Sequence, residues 1–184
     1  MDITVPERVL IEGCLSGKRD TQFQLYQRYS KAMYNICRRM INDPDEAQDV
    51  LQNSFIDVFT KLQMFRYEST IGAWIKRIVI NNCINHIRKN KNEFVSLDAI
   101  KIPDTYEEPN DVELNISEIN NAILDLPEGY KVIFSLYAVE GYDHGEIAEI
   151  LGISESTSKS QYHRAKTKLY DILKSNGGIN RIYQ

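Results

Sequence analysis

Polar and basic side chains recur at helical spacing between Thr157 and Lys168, where they could hydrogen-bond to base edges and bind phosphates. Steps of three and four residues place them on one side of a helix. Such a side fits the major groove of duplex DNA. An ordinary helical hairpin with a solvated, lysine-rich side is the alternative interpretation. The candidate contact residues are Thr157, Lys159, Ser160, His163 and Arg164.

A short helix and a tight turn would position this set. Gly152 follows the apolar residues of a first helix, at a point where a sharp turn needs a residue that tolerates positive φ. Ser154 is placed to cap the next helix through its hydroxyl. The pattern therefore predicts a helix–turn–helix. The apolar residues of its second helix are Tyr162, Ala165, Leu169 and Leu173.

A second region combines cations with aromatic rings. Residues 76–92 contain five basic residues and no acid. The loop at 63–69 precedes their helix, and its aromatics Phe65 and Tyr67 flank Arg66 and are expected to be exposed. Stacking on rings and ionic contacts to phosphates suit single-stranded or melted nucleic acid.

Amides accompany these cations on the polar side of the same predicted helix. A basic helix end that interacts with its own dipole would explain Arg88 and Lys89. It does not explain Asn81, Asn82 and Asn85. The amides therefore favour the nucleic-acid interpretation.

Acidic residues dominate the segment from 42 to 57, which contains no basic residue. Asp43 and Pro44 are typical of a helix start, and Glu46 would complete a capping box. The outer face of this helix, with Asp49 and Asn53, is either a solvated surface or a docking face for a protein partner.

Helical periodicity predicts an all-α fold of two small domains. A helix is expected at 6–16, and Asp20 could cap the next one. Prolines and acids interrupt the pattern at 95–115, which we interpret as an acidic linker. We therefore predict a first helical domain at 1–94 and a second at 116–184.

Composition limits the classes of function. The formal net charge is −4, so any nucleic-acid binding must depend on local basic patches. Residues 1–13 do not form a signal peptide, and no apolar run is long enough to span a bilayer. A cytoplasmic protein without membrane insertion is expected.

Catalytic and metal-binding motifs are not predicted. Cys14, Cys37 and Cys83 are far apart in the sequence and are expected to be small buried thiols. The sequence contains neither a phosphate-binding glycine loop nor a G-x-S-x-G motif. We therefore expect no enzyme activity, no cofactor and no metal site.

Three segments together resemble one family. Residues 43–59, DPDEAQDVLQNSFIDVF, are similar to D-x-x-D-A-x-D-x-x-Q-x-x-F, and residues 65–89 to F-R-x-x-S…W-L-x-R-I-A-x-N…R-[RK]. Residues 126–169 resemble L-P-x-x-x-R-x-V-F-x-L…E-I-A-x-x-L-G-x-S-x-x-T-V-K-S-x-x-x-R-A-[KR]-x-x-L. These patterns identify the chain as a sigma-70-family initiation factor of the extracytoplasmic-function (ECF) type.

The resemblance implies three groups of binding residues. The first domain, similar to sigma region 2, would bind core RNA polymerase through Asp49, Gln52, Asn53 and Phe55. It would also capture a flipped base of the melted −10 element with Phe65, Arg66, Ser69, Arg77, Asn81, Asn85 and Arg88. The second domain, similar to sigma region 4, would recognise the −35 element through Thr157, Lys159, Ser160, His163 and Arg164.

The expected partners follow from the same resemblance. They are core RNA polymerase, promoter DNA and an anti-sigma factor, and the free protein is expected to be a monomer. Two departures from the family pattern matter. Ser158 stands where an apolar residue usually packs the two helices together, so a looser or shifted junction is expected, and Lys131 replaces the usual arginine.

Two other hypotheses remain open from the sequence. A stand-alone helix–turn–helix regulator would use its first domain to sense a ligand or to dimerise, and it would bind duplex DNA without polymerase. A redox or metal sensor would depend on the three cysteines.

Overall fold

The computed structural model describes residues 5–90 and 116–176, and all their regular structure is helical. These residues form two compact units, one on each side of the undescribed segment. The all-α prediction is therefore confirmed. The predicted acidic linker at 95–115 lies outside the described residues. The structure describes no helix long and apolar enough to cross a membrane.

In the first unit, residues 5–90 form four helices. They are α1 (Glu7–Leu15), α2 (Arg19–Met40), α3 (Pro44–Lys61) and α4 (Ile71–Asn90), with a 3₁₀ turn at Leu62–Met64. Helices α2, α3 and α4 pack against one another around a core of aliphatic, thiol and aromatic side chains. This core includes Leu25, Met33, Ile36, Met40, Val50, Leu51, Val58, Ile75 and Val79.

The first helix attaches to the second at both of its ends. The guanidinium of Arg28 donates to the carbonyl of Val5 at 2.8 Å, and the hydroxyl of Tyr29 donates to Glu7 at 2.5 Å. Gly13 allows the close approach at the other end, because a Cβ there would lie 2.5 Å from the side chain of Thr21. The prediction that Asp20 caps α2 is wrong. The helix already begins at Arg19, so Asp20 lies within its first turn.

The second unit contains α5 (Ile116–Leu124), α6 (Glu128–Phe134), a π-helical turn (Ser135–Val139), α7 (His144–Leu151) and α8 (Glu155–Ser175). Helix α8 packs against α5, α6 and α7. Its buried residues Ala165, Leu169 and Leu173 confirm the predicted apolar side.

A buried lysine links the first two helices of this unit. The ammonium group of Lys131 donates to the carbonyl of Leu124, the last residue of α5. The Lys131 side chain is fully buried. A cation is favourable at a helix C-terminus, because carbonyls without intrahelical partners concentrate partial negative charge there. This lysine therefore joins α6 to the end of α5.

Candidate nucleic-acid interfaces and partner surface

The turn between α7 and α8 has the predicted geometry. Gly152 adopts φ 68°, and the Ser154 hydroxyl accepts a hydrogen bond from the Thr157 backbone N–H at 3.0 Å. A capping box fixes the start of α7, because Asp143 and Glu146 each accept the backbone N–H of the other, at 2.8 and 2.9 Å. Both helices of the motif therefore start at defined residues.

A polar contact fills the junction between α7 and α8. Ser158 is fully buried, and its hydroxyl lies 2.9 Å from Nδ1 of His144. The His144 ring stacks on Tyr137, with 4.3 Å between centroids and an interplanar angle of 17°. The expected looser junction is not what the structure shows. A histidine–serine hydrogen bond occupies the position where the family pattern has an apolar residue.

An aromatic cluster continues from this junction along α8. The ring of Tyr162 lies 4.4 Å from Tyr137 and 5.9 Å from Phe134, and the ammonium of Lys166 lies 5.7 Å from its centroid. Burial, followed by the nearby Tyr137, raises the pKa of Tyr162, so this phenol stays neutral at physiological pH. The ring of Tyr162 therefore joins α8 to the π-helical turn through Tyr137 and to α6 through Phe134.

The predicted −35 contact residues lie in the first half of α8. Lys159, Ser160 and His163 are exposed, whereas Thr157 and Arg164 are half-buried. The hydroxyl of Thr157 lies 2.7 Å from that of Ser154, so part of its hydrogen-bonding capacity is used in the cap. The set forms a polar surface on α8 of the kind that the sequence predicted.

An ion pair within α8 involves one member of this set. The ammonium of Lys159 lies 2.6 Å from Glu155, one turn earlier, and this neighbour raises the pKa of Lys159. Both side chains are exposed. A phosphate could therefore displace Glu155 without opening the core, and the lysine would remain charged.

Helix α4 presents a stripe of cations and amides. Arg77, Asn81, Asn85 and Arg88 are all exposed, and their spacing of four, four and three residues places them on one face. The structure thus brings these four predicted −10 residues onto one continuous surface.

Asn82 does not belong to that stripe. Its amide donates to the Ser54 hydroxyl at 3.2 Å and to the Asp57 carboxylate at 3.1 Å, both on α3. The amide of Asn82, together with Lys61, lowers the pKa of Asp57. The sequence interpretation that grouped Asn82 with Asn81 and Asn85 is wrong, because the Asn82 side chain is turned towards α3 and hydrogen-bonded to it.

The two aromatic residues of the loop before α4 differ in their exposure. Phe65 is only 8% exposed and packs against Trp74, with 5.6 Å between ring centroids. Tyr67 is 55% exposed, and its ring lies 4.8 Å from that of Phe65. The expectation that Phe65 is exposed is wrong, because its ring fills the space beside α4. Arg66 and Ser69, the other predicted residues of this loop, are exposed.

The outer face of α3 is the candidate partner surface. Asp43 accepts the backbone N–H groups of Asp45 and Glu46, at 2.8 and 3.0 Å, which confirms it as the N-cap. The carboxylate of Glu46 lies 3.1 Å from the imidazole of His86 on α4. Three of the predicted polymerase-binding residues are exposed on this helix: Asp49, Gln52 and Asn53.

The fourth predicted residue, Phe55, faces the interior instead. It is 3% exposed, and its ring meets Tyr26 edge-on at 4.8 Å. Its neighbour Ile56 is 63% exposed and lines an open groove with Asn53 and His86. Sequence reasoning missed Ile56, although the spacing of Asp49, Gln52, Asn53 and Ile56 along the helix places it on the same face.

The cysteines are free and buried in the first unit. The sulfur atoms of Cys37 and Cys83 lie 3.7 Å apart, and the contact with Cys37 and burial raise the pKa of Cys83 well above its ordinary value. Protonated, inaccessible thiols are poor nucleophiles and metal ligands. No cluster of potential metal ligands occurs in the part of the chain that the structure describes.

Both units match models of one protein family. The sigma-70 region 2 model matches residues 25–93, and the sigma-70 region 4 model matches residues 116–169. The fold is similar to that of the sigma factor RpoE from Bartonella quintana, solved in complex with the anti-sigma factor NepR. That likeness has a TM-score of 0.56 at 23% identity and covers 82% of this chain and 95% of that one.

Curated relatives cover nearly the whole chain. The RNA polymerase sigma factor SigZ of Bacillus subtilis is 30% identical, over 81% of this chain and 85% of SigZ. The ECF sigma factor SigW of the same organism is 28% identical, over 92% of this chain and 96% of SigW. The ECF sigma factor SigM of Mycobacterium tuberculosis is 26% identical, over 93% of this chain and 87% of SigM. The chain belongs to the sigma-70 family of RNA polymerase sigma factors, in its extracytoplasmic-function group.

Proposed function

We propose that this protein binds core RNA polymerase and directs it to specific promoters. The second unit recognises the −35 element as duplex, and the first unit captures the melted −10 element. The exposed stripe of Arg77, Asn81, Asn85 and Arg88 supports this proposal most directly. A stand-alone duplex-binding regulator has no use for a second surface of cations and amides beside an exposed aromatic.

In the second unit, α8 enters the major groove with its first turns. Ser160, His163 and Arg164 contact base edges or phosphates, and Lys159 exchanges Glu155 for a phosphate. Thr157 contributes mainly through its position at the first turn, since its hydroxyl meets the Ser154 cap. The buried Ser158 contact sets how α8 lies on α7 and contacts no DNA itself.

In the first unit, the loop of Arg66 and Ser69 and the stripe on α4 bind the non-template strand. Extruding a base requires unstacking energy, which these contacts must return. Phe65 anchors the loop to α4, because its ring is buried against Trp74. Asp49, Gln52, Asn53 and Ile56 form the polymerase-docking face on α3.

The protein has no catalytic role of its own in this proposal, because polymerase performs RNA synthesis. It acts as a monomer in the cytoplasm, where polymerase and chromosome are available. An anti-sigma factor binds this protein, as NepR binds RpoE in the Bartonella complex.

Transcription in vitro tests the proposal. Core RNA polymerase is combined with a pool of genomic promoters, with and without this protein, and the new RNA 5′ ends are sequenced. Discrete new start sites with two shared upstream elements are expected. Unchanged start sites would overturn the proposal, and dimerisation together with duplex binding in the absence of polymerase would favour the stand-alone regulator.

A further inference from the structure

Tyr67 has an unusual backbone conformation. It adopts φ 59°, and among the described residues it is the one non-glycine residue with positive φ. In this left-handed region the Cβ of an L-residue lies close to the following carbonyl oxygen, which is unfavourable for a bulky side chain. Glycine or asparagine would adopt this conformation at lower cost.

Burial does not compensate for this strain. The Tyr67 side chain is 55% exposed, and its described ring contact is with Phe65, at 4.8 Å and an interplanar angle of 52°. Phe65 is itself fixed against Trp74. Three rings thus run from the half-buried Trp74, through the buried Phe65, to the surface. The outermost ring is supported on one side and accessible on the other.

The surroundings of Tyr67 are those of a nucleic-acid surface. Its sequence neighbour Arg66 is exposed, and Ser69 follows in the same loop. The loop leads directly into α4, whose exposed face bears Arg77 and Asn81. Backbone strain retained in an exposed segment is characteristic of functional sites, where the constrained geometry serves binding.

We propose that Tyr67 is a base-stacking residue of the −10 site, whose ring binds an unpaired base of the melted non-template strand. The aromatic support beneath the ring limits its motion, so little rotamer freedom is lost when a base stacks on it. The Tyr67 side chain is 55% exposed and therefore accessible to a base. This inference rests on the proposed function and adds a binding residue to it.

The experiment compares binding of two DNA probes by the complex of the full-length chain with core polymerase. One probe is a fork whose −10 non-template segment is single-stranded, and the other is the same promoter as duplex. Tyr67→Asn and Tyr67→Gly remove the ring and permit the backbone conformation, whereas Tyr67→Phe keeps the ring. Met64→Ala, in the adjacent 3₁₀ turn at a residue 67% exposed, is the matched control.

Tyr67→Asn and Tyr67→Gly are expected to weaken fork binding by about five- to a hundred-fold, the range for losing one base–aromatic stack. Tyr67→Phe and Met64→Ala are expected to bind like the wild type. Binding to the duplex should change little in every variant. The thermal midpoint of Tyr67→Asn should be unchanged or higher, because relief of backbone strain offsets the lost ring contact.

Three results would overturn the inference. Wild-type fork binding by Tyr67→Asn and Tyr67→Gly would exclude stacking, and an equal loss in Tyr67→Phe would assign the effect to the hydroxyl. A fall in thermal midpoint of more than about 5 °C in Tyr67→Asn would assign the ring to the fold instead. Failure of the proposed function itself is distinguishable, since the wild-type complex would then bind neither probe specifically.

Discussion

The imidazole of His144 and the hydroxyl of Ser158 lie 2.9 Å apart, at the contact between the two helices of the helix–turn–helix. Ser158 is fully buried, so its hydroxyl depends on this partner to replace the water lost on folding. The histidine is placed by the capped start of α7 and by its stack on Tyr137. The position of α8 is thus set by a directional contact.

Breaking this pair should destabilise the second unit. We expect Ser158→Ala to lower the free energy of unfolding by about 1–3 kcal/mol, because Nδ1 of His144 loses its hydrogen-bond partner at the helix junction. His144→Phe keeps the stack on Tyr137 and loses only the hydrogen bond. Calorimetry of the full-length chain, as single and double variants, measures the coupling, which we expect to be about 0.5–3 kcal/mol. Strictly additive losses would contradict a direct interaction.

Arg164→Ala should weaken promoter recognition. A contact between its guanidinium and a base contributes about 1–3 kcal/mol, with the loss largest for the preferred base at one −35 position. Binding of the polymerase complex to a set of −35 variants measures this discrimination. Lys174→Ala, at the exposed far end of α8, is the control and should leave binding unchanged. Equal transcription from both variants would remove Arg164 from the site.

Asn81 and Asn82 should give opposite phenotypes although they are adjacent. Asn81→Ala removes an exposed amide, so we expect impaired opening at −10 with nearly normal closed-complex binding and normal stability. Asn82→Ala removes the bonds to Ser54 and Asp57, so it should lower stability by about 0.5–1.5 kcal/mol. Permanganate reactivity of the −10 bases and urea unfolding separate the two. A reversal of the two effects would contradict the orientation of α4.

Phe55 and Ile56 offer a second pair of neighbours. Ile56→Ala should weaken binding to core polymerase by about five-fold or more if it lies near the centre of that interface. Its stability should be unaffected, because the side chain is exposed. Phe55→Ala should instead lower the free energy of unfolding by about 3–5 kcal/mol, the range for removing a buried aromatic ring. Normal polymerase affinity in Ile56→Ala would exclude Ile56 from the docking face.

The raised pKa of Tyr29 should make the stability of the folded protein fall at alkaline pH. Burial and the hydrogen bond to Glu7 raise the pKa of Tyr29 to about 12. The folded state therefore favours the neutral phenol. The stabilisation that Tyr29 adds to the folded state is fully present below pH 10, the pKa of an unfolded tyrosine, and it is lost as pH rises through about 12. Tyr29→Phe should lose about 1 kcal/mol or less at neutral pH.

Thermal midpoints measured from pH 8 to pH 12 test this prediction. The difference between the wild type and Tyr29→Phe should shrink across the upper part of that range. Glu7→Gln keeps an acceptor without the charge, so it should show an intermediate dependence on pH. Parallel curves for all three proteins would contradict the Tyr29 contact.

Sequence reasoning predicted the helices and the turn because their signals are local. The Asp43 and Ser154 caps and the left-handed Gly152 depend on residues within four positions of one another. The orientation of single side chains depends on neighbouring helices, which periodicity alone does not supply. The family resemblance gave Phe55 a binding role, and composition placed Phe65 and Asn82 at the surface, whereas packing directs all three inward.

The sequence predicted the location of the candidate surfaces better than the orientation of individual side chains. The exposed stripe on α4 and the polar face of α8 follow from helical spacing and are present in the structure. The Ser158–His144 contact could not be predicted, because it joins side chains of two different helices, 14 residues apart in the sequence. Ile56 was overlooked, although its spacing from Asp49, Gln52 and Asn53 places it on the outer face of α3.

The close attachment of α3 to α4 determines how the first unit can work. Asn82 and His86 connect α4 to Asp57 and Glu46 on α3, in addition to the shared core. In the proposed function, one of these helices docks on polymerase and the other receives melted DNA. The unit is then a rigid adapter, in which the distance from the enzyme to the captured base is fixed by the packing of two helices. Exchanging this helix pair between relatives as one block should preserve that distance, whereas exchanging either helix alone should alter it.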